Sequence, residues 1–241
     1  MIPVIDLLDG RVVRGVGGRR AEYRPITSPL VTAPDPLTVA TALRQLCGHA
    51  TLYVADLDAI LHRQPHTVLY EQLTSAGGTL LVDAGVREVA DALAVAATGA
   101  DVIVGLETVA DALTLRRIAE AISTDRLVFS VDLMHGCSLG GAGWPDRAPD
   151  IIEQVLACGI TRLIVLDLAD VGTDSGGSTE GLCRQILTCW PTVRLIAGGG
   201  VRGPDDLARW SQVGVEGVLI ASALHDGRIA REDIEGIANN N

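Results

Sequence analysis

"VRLIAGGGVRGPDDLARW", residues 193–210, runs from a short apolar stretch through three glycines into a helix-like segment. Its apolar part is short and rich in branched aliphatics, as a buried parallel strand is. Glycines end it. Gly203-Pro204 with Asp205 and Asp206 then opens a helix, because proline suits the first helical turn and acids suit its positive end. The stretch is one strand–loop–helix unit. "LVDAGVREVADAL", residues 81–93, repeats the plan, with Asp83 and Ala84 where two of the glycines stand.

The unit recurs along the chain. Apolar runs lie at 2–6, 51–56, 79–83, 101–105, 126–132, 162–167, 193–198 and 217–221. Helix-like segments lie near 35–47, 65–75, 86–98, 109–123, 147–158, 179–189 and 203–213, with a short final one near 231–237. Strands alternating with helices imply right-handed crossovers and a parallel sheet. Eight such units predict one α/β domain over 1–241, a closed (β/α)8 TIM barrel. An open doubly wound sheet is the alternative, weakened because no G-x-G-x-x-G follows the first strand.

The halves also echo each other. "VIDLLDG" (4–10) matches "SVDLMHG" (130–136), "YVADLD" (53–58) matches "IVLDLAD" (164–170), and "VDAGVR" (82–87) matches "AGGGVR" (197–202). This two-fold repeat divides the barrel into half-barrels of about 1–125 and 126–241.

Composition narrows the function. A net charge of −11 argues against a nucleic-acid partner, which needs a basic footprint. Five cysteines, an odd number with no C-x-x-C pair, read as reduced thiols. No apolar run reaches the ~18 residues of a membrane span. "MIPVIDLLDG" has no basic leader region, so a cytoplasmic location is expected, with no membrane partner. The chain contains no lysine, which excludes a lysine Schiff-base mechanism.

In a (β/α)8 barrel the C-terminal ends of the strands carry the chemistry. Asp6 ends the first strand and Asp132 the fifth, on opposite sides of the mouth. Two carboxyls facing each other across a pocket form an acid–base pair when one is protonated and the other ionised. Asp56, Asp83 and Asp167 also end strands, and some of these hold loops. Asp170 and Asp174 in "DVGTDSGG" orient the loop after the sixth strand. No His/Asp cluster has ligand spacing, so neither a metal nor another cofactor is expected.

Phosphate binds well where backbone N–H groups are unobstructed. Gly198, Gly199 and Gly200 offer this after strand seven, and Ala221 and Ser222 after strand eight. Gly176 is a further phosphate-side glycine. In the first half only Gly85, Gly105 and Thr108 keep that character. Asp83 and Glu107 put carboxylates where a second phosphate would sit, and like charges repel there. The expected ligand is a phosphorylated small molecule with one phosphate, uncharged or cationic at its other end.

These residues carry a resemblance covering nearly the whole chain. "IPVIDLLDGRVVRGVGG", "VDLMHG…GAGW", "LDLADVGTDSGGS" and "AGGGV" are similar to the HisA/HisF superfamily of histidine biosynthesis. It contains a ribotide isomerase and the cyclase subunit of imidazole glycerol phosphate synthase. The resemblance implies an Amadori rearrangement of an aminoaldose to an aminoketose, with Asp6 as base and Asp132 as acid. It implies that Thr173 steadies the sugar and that Trp144 stacks on the substrate ring, unless Trp144 only anchors its loop. The isomerase binds a phosphate at each end of its substrate, where this chain has Asp83-Ala84-Gly85 and Gly105-Leu106-Glu107. "RRAEYRPI" (19–26) and "SALHDG" (222–227) resemble a divergent HisA/HisF-related branch of methanogens and methylotrophs. That branch implies a related isomerase, lyase or condensation step on a monophosphate in one-carbon carrier synthesis. A non-catalytic protein that binds a phosphorylated metabolite is the third alternative. Because the superfamily includes monomers and heterodimers, the resemblance assigns no oligomeric state.

Overall fold

The computed structural model describes residues 1–48, 51–173 and 177–238. Eight parallel strands form the barrel: β1 Ile2–Leu8, β2 Leu52–Asp56, β3 Leu80–Asp83, β4 Asp101–Gly105, β5 Leu127–Met134, β6 Arg162–Asp167, β7 Arg194–Gly198 and β8 Gly217–Ile220. Each pairs in parallel with the next. β8 returns to β1 through Ile2 opposite Leu219 and Pro3 opposite Ile220, which closes the ring. The open-sheet alternative is thereby removed.

Helices cover the outside at Pro36–Cys47, Thr67–Ser75, Val89–Ala97, Ala112–Ala121, Ala148–Leu156, Glu180–Cys189, Pro204–Val213 and Arg231–Ala238. Asp35 caps the first, accepting from the Thr38 amide at 2.8 Å, and Asp111 caps the fourth through Thr114 at 2.7 Å. Ile2, Tyr53, Leu81, Ile103, Val128, Ile164, Ile196 and Leu219, one from each strand, pack together inside the ring. They form a solid floor. A larger layer, including Leu52, Val54, Phe129 and Trp210, packs between strands and helices. Among the described residues no helix is long and apolar enough to cross a membrane. All five cysteines are free thiols.

Two features go beyond the expected plan. After β1 the chain turns back as a short antiparallel arm, Arg11–Arg14, which pairs in turn with Arg24–Pro25. After β5 it does so again at Cys137–Ser138. The turns are Asp9-Gly10 (φ 51° and 67°) and His135-Gly136 (φ 53° and 76°). Two successive left-handed residues make a hairpin turn that follows the strand twist. A carboxylate holds each turn, from the short helix after β2 in the first half and from the end of β6 in the second. Asp58 accepts from the amides of Asp9 (3.0 Å) and Gly10 (3.3 Å). Asp167 accepts from those of His135 (3.0 Å) and Gly136 (2.7 Å), and also from Ala169 (3.0 Å). The hairpin turn is thus repeated in both halves, although the carboxylates that hold it, Asp58 and Asp167, stand at different positions of the sequence repeat.

Asp167 is buried. Replacing it with alanine removes the acceptor of three amide donors and leaves a hole where a buried side chain stood. Asp167→Ala is expected to lower stability by about 2–4 kcal/mol, read from urea unfolding, with a loss below 1 kcal/mol counting against this role.

Candidate active site

Strand periodicity sets the site. Side chains alternate faces along a strand, so residues two apart share one. Ile2, Val4 and Asp6 lie on the inner face of β1, and Val128, Ser130 and Asp132 on that of β5. Leu81 of the floor is followed two residues later by Asp83. The carboxyls thus stand above the apolar floor, at the end where the loops gather. Asp6, Asp83, Asp132 and Glu107 all line one cavity there.

Burial dominates their chemistry. Asp6 is pushed up to about 7, against the pull of the Gly15 amide that bonds it. Asp132 is pushed up to about 8 by burial and then by the neighbouring Asp83. Ser130 Oγ donates to Asp132 Oδ1 at 2.6 Å, and the Glu107 amide stands 3.5 Å from Oδ2. Asp83 rises to about 6, again through burial, while accepting from the Gly85 amide at 3.0 Å and from Tyr53. A Cβ on Gly105 would lie 3.1 Å from Asp132 Oδ2 and 3.9 Å from Asp83 Oδ2. Gly105 is small so that both carboxyls can lean into its space. Both Asp6 and Asp132 are thus held well above the ordinary aspartate range. One cavity then offers an acid and a base.

Loops roof the cavity. The Gly17 amide donates to Val171 O at 2.7 Å. A Cβ on Gly172, whose φ is +66°, would fall 1.9 Å from Gly15 O. The loops after β1 and β6 therefore meet glycine on glycine, leaving no room for a side chain. The first loop carries Tyr23 and Arg20 into the cavity lining. Burial and the nearby Asp6 push the Tyr23 hydroxyl up to about 12. Arg20 crosses to pair with Glu107 of the β4 loop.

Some of the residues expected to hold a phosphate line this cavity and others do not. Gly199 and Gly200 (φ +90° and +75°), Ala221 and Ser222 line the cavity. Gly198 does not. A Cβ there would lie 2.7 Å from Leu166 Cδ1, so it serves packing inside the barrel. Gly203 is also outside the lining. The first turn of its helix is occupied by Asp206, which accepts from the Arg202 amide at 2.8 Å and pairs with the Arg202 guanidinium. Positive charge comes instead from Arg228, which lines the cavity and pairs with Asp226, as Arg14 also does. Thr173 lines the cavity, its hydroxyl donating to Asp170 O at 3.1 Å. Gly85 (φ +63°) lies behind the lining, where a Cβ would meet Ile60 Cα at 2.8 Å. Gly176 and Asp174 lie outside the described residues.

Trp144 is a correction. It is buried in the outer layer, its ring 5.4 Å from that of Phe129, and its indole N–H donates to Val109 O at 2.9 Å. It is not in the cavity lining, and its indole donor is used, so it anchors its loop. The other strand-end acids are loop-holders too. Asp56 accepts from the Ala59 and His66 amides, at 3.0 Å each, and from Tyr70, while Asp170 holds Ser178. Asp56, Asp58 and His66 bring ligand-type atoms within 4.8 Å of one another. Both carboxylates there already accept backbone amides, so this knot fastens loops. Arg20, Tyr23, Tyr53 and Arg228 were not expected at the site. They come from irregular loops or from the middle of a strand, where no spacing rule marks them.

The geometry agrees with comparison to known proteins. A family model described as "Histidine biosynthesis protein" matches residues 1–230. The chain belongs to that family. An uncharacterized family protein of Methanocaldococcus jannaschii is 31% identical over 239 residues, covering 97% of this chain and 96% of the relative. A phosphoribosyl imidazole-4-carboxamide isomerase of Thermus thermophilus is 31% identical over 242 residues, covering 95% of each. The corresponding isomerase of Cenarchaeum symbiosum is 30% identical over 238 residues, covering 95% and 96%. Both isomerase names specify two 5-phosphoribosyl groups. These similarities make the chain an isomerase-like member of the family.

The raised carboxyls have a consequence for stability. Folded Asp132 keeps its proton to about pH 8, whereas an unfolded aspartate loses it near 3.8. The native state therefore binds more protons between those limits and loses stability as pH rises through them. Asp132→Asn removes that penalty. It is expected to raise the melting temperature more at pH 8 than at pH 5. An equal shift at both values would show that burial does not hold the proton. Asp83→Asn should lower the Asp132 titration midpoint, measured by carboxyl carbon NMR.

Proposed function

We propose that the chain is an acid–base isomerase acting on a small sugar-derived monophosphate, with Asp6 as base and Asp132 as acid. The observation that carries this is the pair of carboxyls lining one cavity, Asp132 buried and Asp6 half-buried, both held above the ordinary aspartate range. Gly199, Gly200, Ser222 and Arg228 would hold the phosphate. Thr173 would steady the sugar.

In an aminoaldose rearrangement the steps balance within this pair. Asp132 gives its proton to the ring oxygen as the C1–O bond breaks and an iminium forms at C1. Asp6 takes the proton from C2, leaving an enaminol. Asp6 then returns a proton to C1 while Asp132 recovers one from the C2 hydroxyl, and the aminoketose results. No outside oxidant or reductant is needed. No lysine is needed either.

Asp83 and Glu107 favour a substrate other than the bis-phosphoribosyl compound for which the isomerase relatives are named. The chain is expected to fail to restore growth of a histidine auxotroph lacking its isomerase, and robust growth would overturn this choice of substrate. A monophosphate of one-carbon carrier synthesis, as the resemblance to the divergent branch implies, fits the one-ended cavity.

Asp6→Asn and Asp132→Asn should each cut turnover by about 100-fold or more while leaving phosphate affinity near that of the wild type. A protein that only binds its ligand would keep its cellular role with both residues changed. Ser222→Glu should abolish binding of inorganic phosphate, followed by phosphorus NMR. Ser222 is a cleaner position than Gly199, where a side chain would strain the backbone and lie 3.0 Å from Asp170 Cβ.

A further inference from the structure

The two rims of the cavity are related by the half-barrel repeat. Loops after β7 and β8 carry Gly199, Gly200 and Ser222; on the opposite rim Asp83 ends β3 at the position of Gly198, Ala84 and Gly85 stand where Gly199 and Gly200 do, and Glu107 follows β4. A rim with only carboxyls would simply lack an anion site. The structure shows something different. Arg20 reaches over from the roofing loop, 87 positions away, and pairs with Glu107 inside the cavity lining. A guanidinium and an acceptor carboxylate thus stand at the mirror image of the phosphate end.

We propose that Glu107 is a built-in anion that fills the first-half anion subsite, and that the Arg20–Glu107 pair restricts the enzyme to ligands with one phosphate. The proposal rests on the one-phosphate reading of the site. A guanidinium binds carboxylate and phosphate oxygens through the same forked donors, so a carboxylate tethered to the chain can take the place of a ligand phosphate. The tether matters because Glu107 is always present at high local concentration. A second ligand phosphate must displace it and then face Asp83 and Glu107 at short range in a poorly solvated cavity. Both side chains of the pair are mostly shielded, with 29% and 24% exposure, so water screens it only in part. The same pair ties the roofing loop to the β4 loop. The ligand class follows: a monophosphate held at loops β7 and β8, its far end free of negative charge.

The test uses inorganic phosphate as probe, with isothermal titration and phosphorus NMR at pH 7.5. Wild-type protein should bind one phosphate, and Ser222→Glu none. Adding Glu107→Gln and Asp83→Asn to Ser222→Glu frees Arg20 and removes the competing acids. Phosphate affinity should then reappear, about ten-fold or more above the Ser222→Glu background. It should vanish again when Arg20→Gln is added. Glu107→Gln with Asp83→Asn, Ser222 intact, should bind two phosphates where wild type binds one, which gives a readout even if the triple variant folds poorly. Absence of a second phosphate in either setting overturns the internal-anion assignment and leaves the phosphate end standing. Undiminished phosphate binding by Ser222→Glu alone overturns the one-phosphate reading and this inference with it.

Discussion

Closure of the parallel ring is the constraint on which the rest depends. Once β8 bonds to β1, inward side chains of eight strands must share one narrow interior. Apolar residues from all eight strands fill its floor. Strand periodicity then lifts Asp6, Asp83 and Asp132 above that floor, where they touch little water. Burial of a carboxyl in such surroundings favours its neutral form, since the charged form loses hydration. The acid–base character of the site is thus a consequence of packing, ahead of any specific partner.

The same packing explains what the glycines do. Gly199 and Gly200 have left-handed backbone and line the cavity, and a Cβ on Gly199 would lie 3.0 Å from Asp170 Cβ. Gly105 gives its volume to two carboxyls, Gly172 to the carbonyl of Gly15, and Gly198 to Leu166. In each case the missing side chain is the point, and flexibility is incidental. A run of three identical residues therefore hides two different jobs, because Gly198 still belongs to a strand and its neighbours belong to a loop.

Much of this was legible in the sequence. The eight strands, the half-barrel repeat and the paired aspartates all follow from periodicity, and each needs only residues close in the chain. What was illegible depends on meetings across the fold. Trp144 sits in a loop beside glycines, which suits stacking on a ligand equally well. Only the presence of Phe129 and the Val109 carbonyl turns it inward. Helix Pro204–Val213 begins with the acids expected of a positive helix end, yet Asp206 spends that end on Arg202. Arg20 and Arg228 lie in irregular segments whose course over the mouth no local pattern records.

That last point bears on how a two-fold barrel becomes one-sided. Duplication starts with two equivalent rims, and symmetry alone predicts two equivalent anion sites. Changing glycines to acids on one rim would lose a ligand contact and add repulsion between Asp83, Glu107 and Asp132, which already share one cavity. Bringing Arg20 across from the roofing loop offsets part of that repulsion and also ties the roof to the rim. The second-half rim has Arg228 in the cavity lining, and its Asp226 pairs both with Arg228 and with Arg14 of the arm after β1. The rims thus differ in charge yet share one way of anchoring, since the segment after β1 is tied to the first-half rim through Arg20–Glu107 and to the second-half rim through Arg14–Asp226.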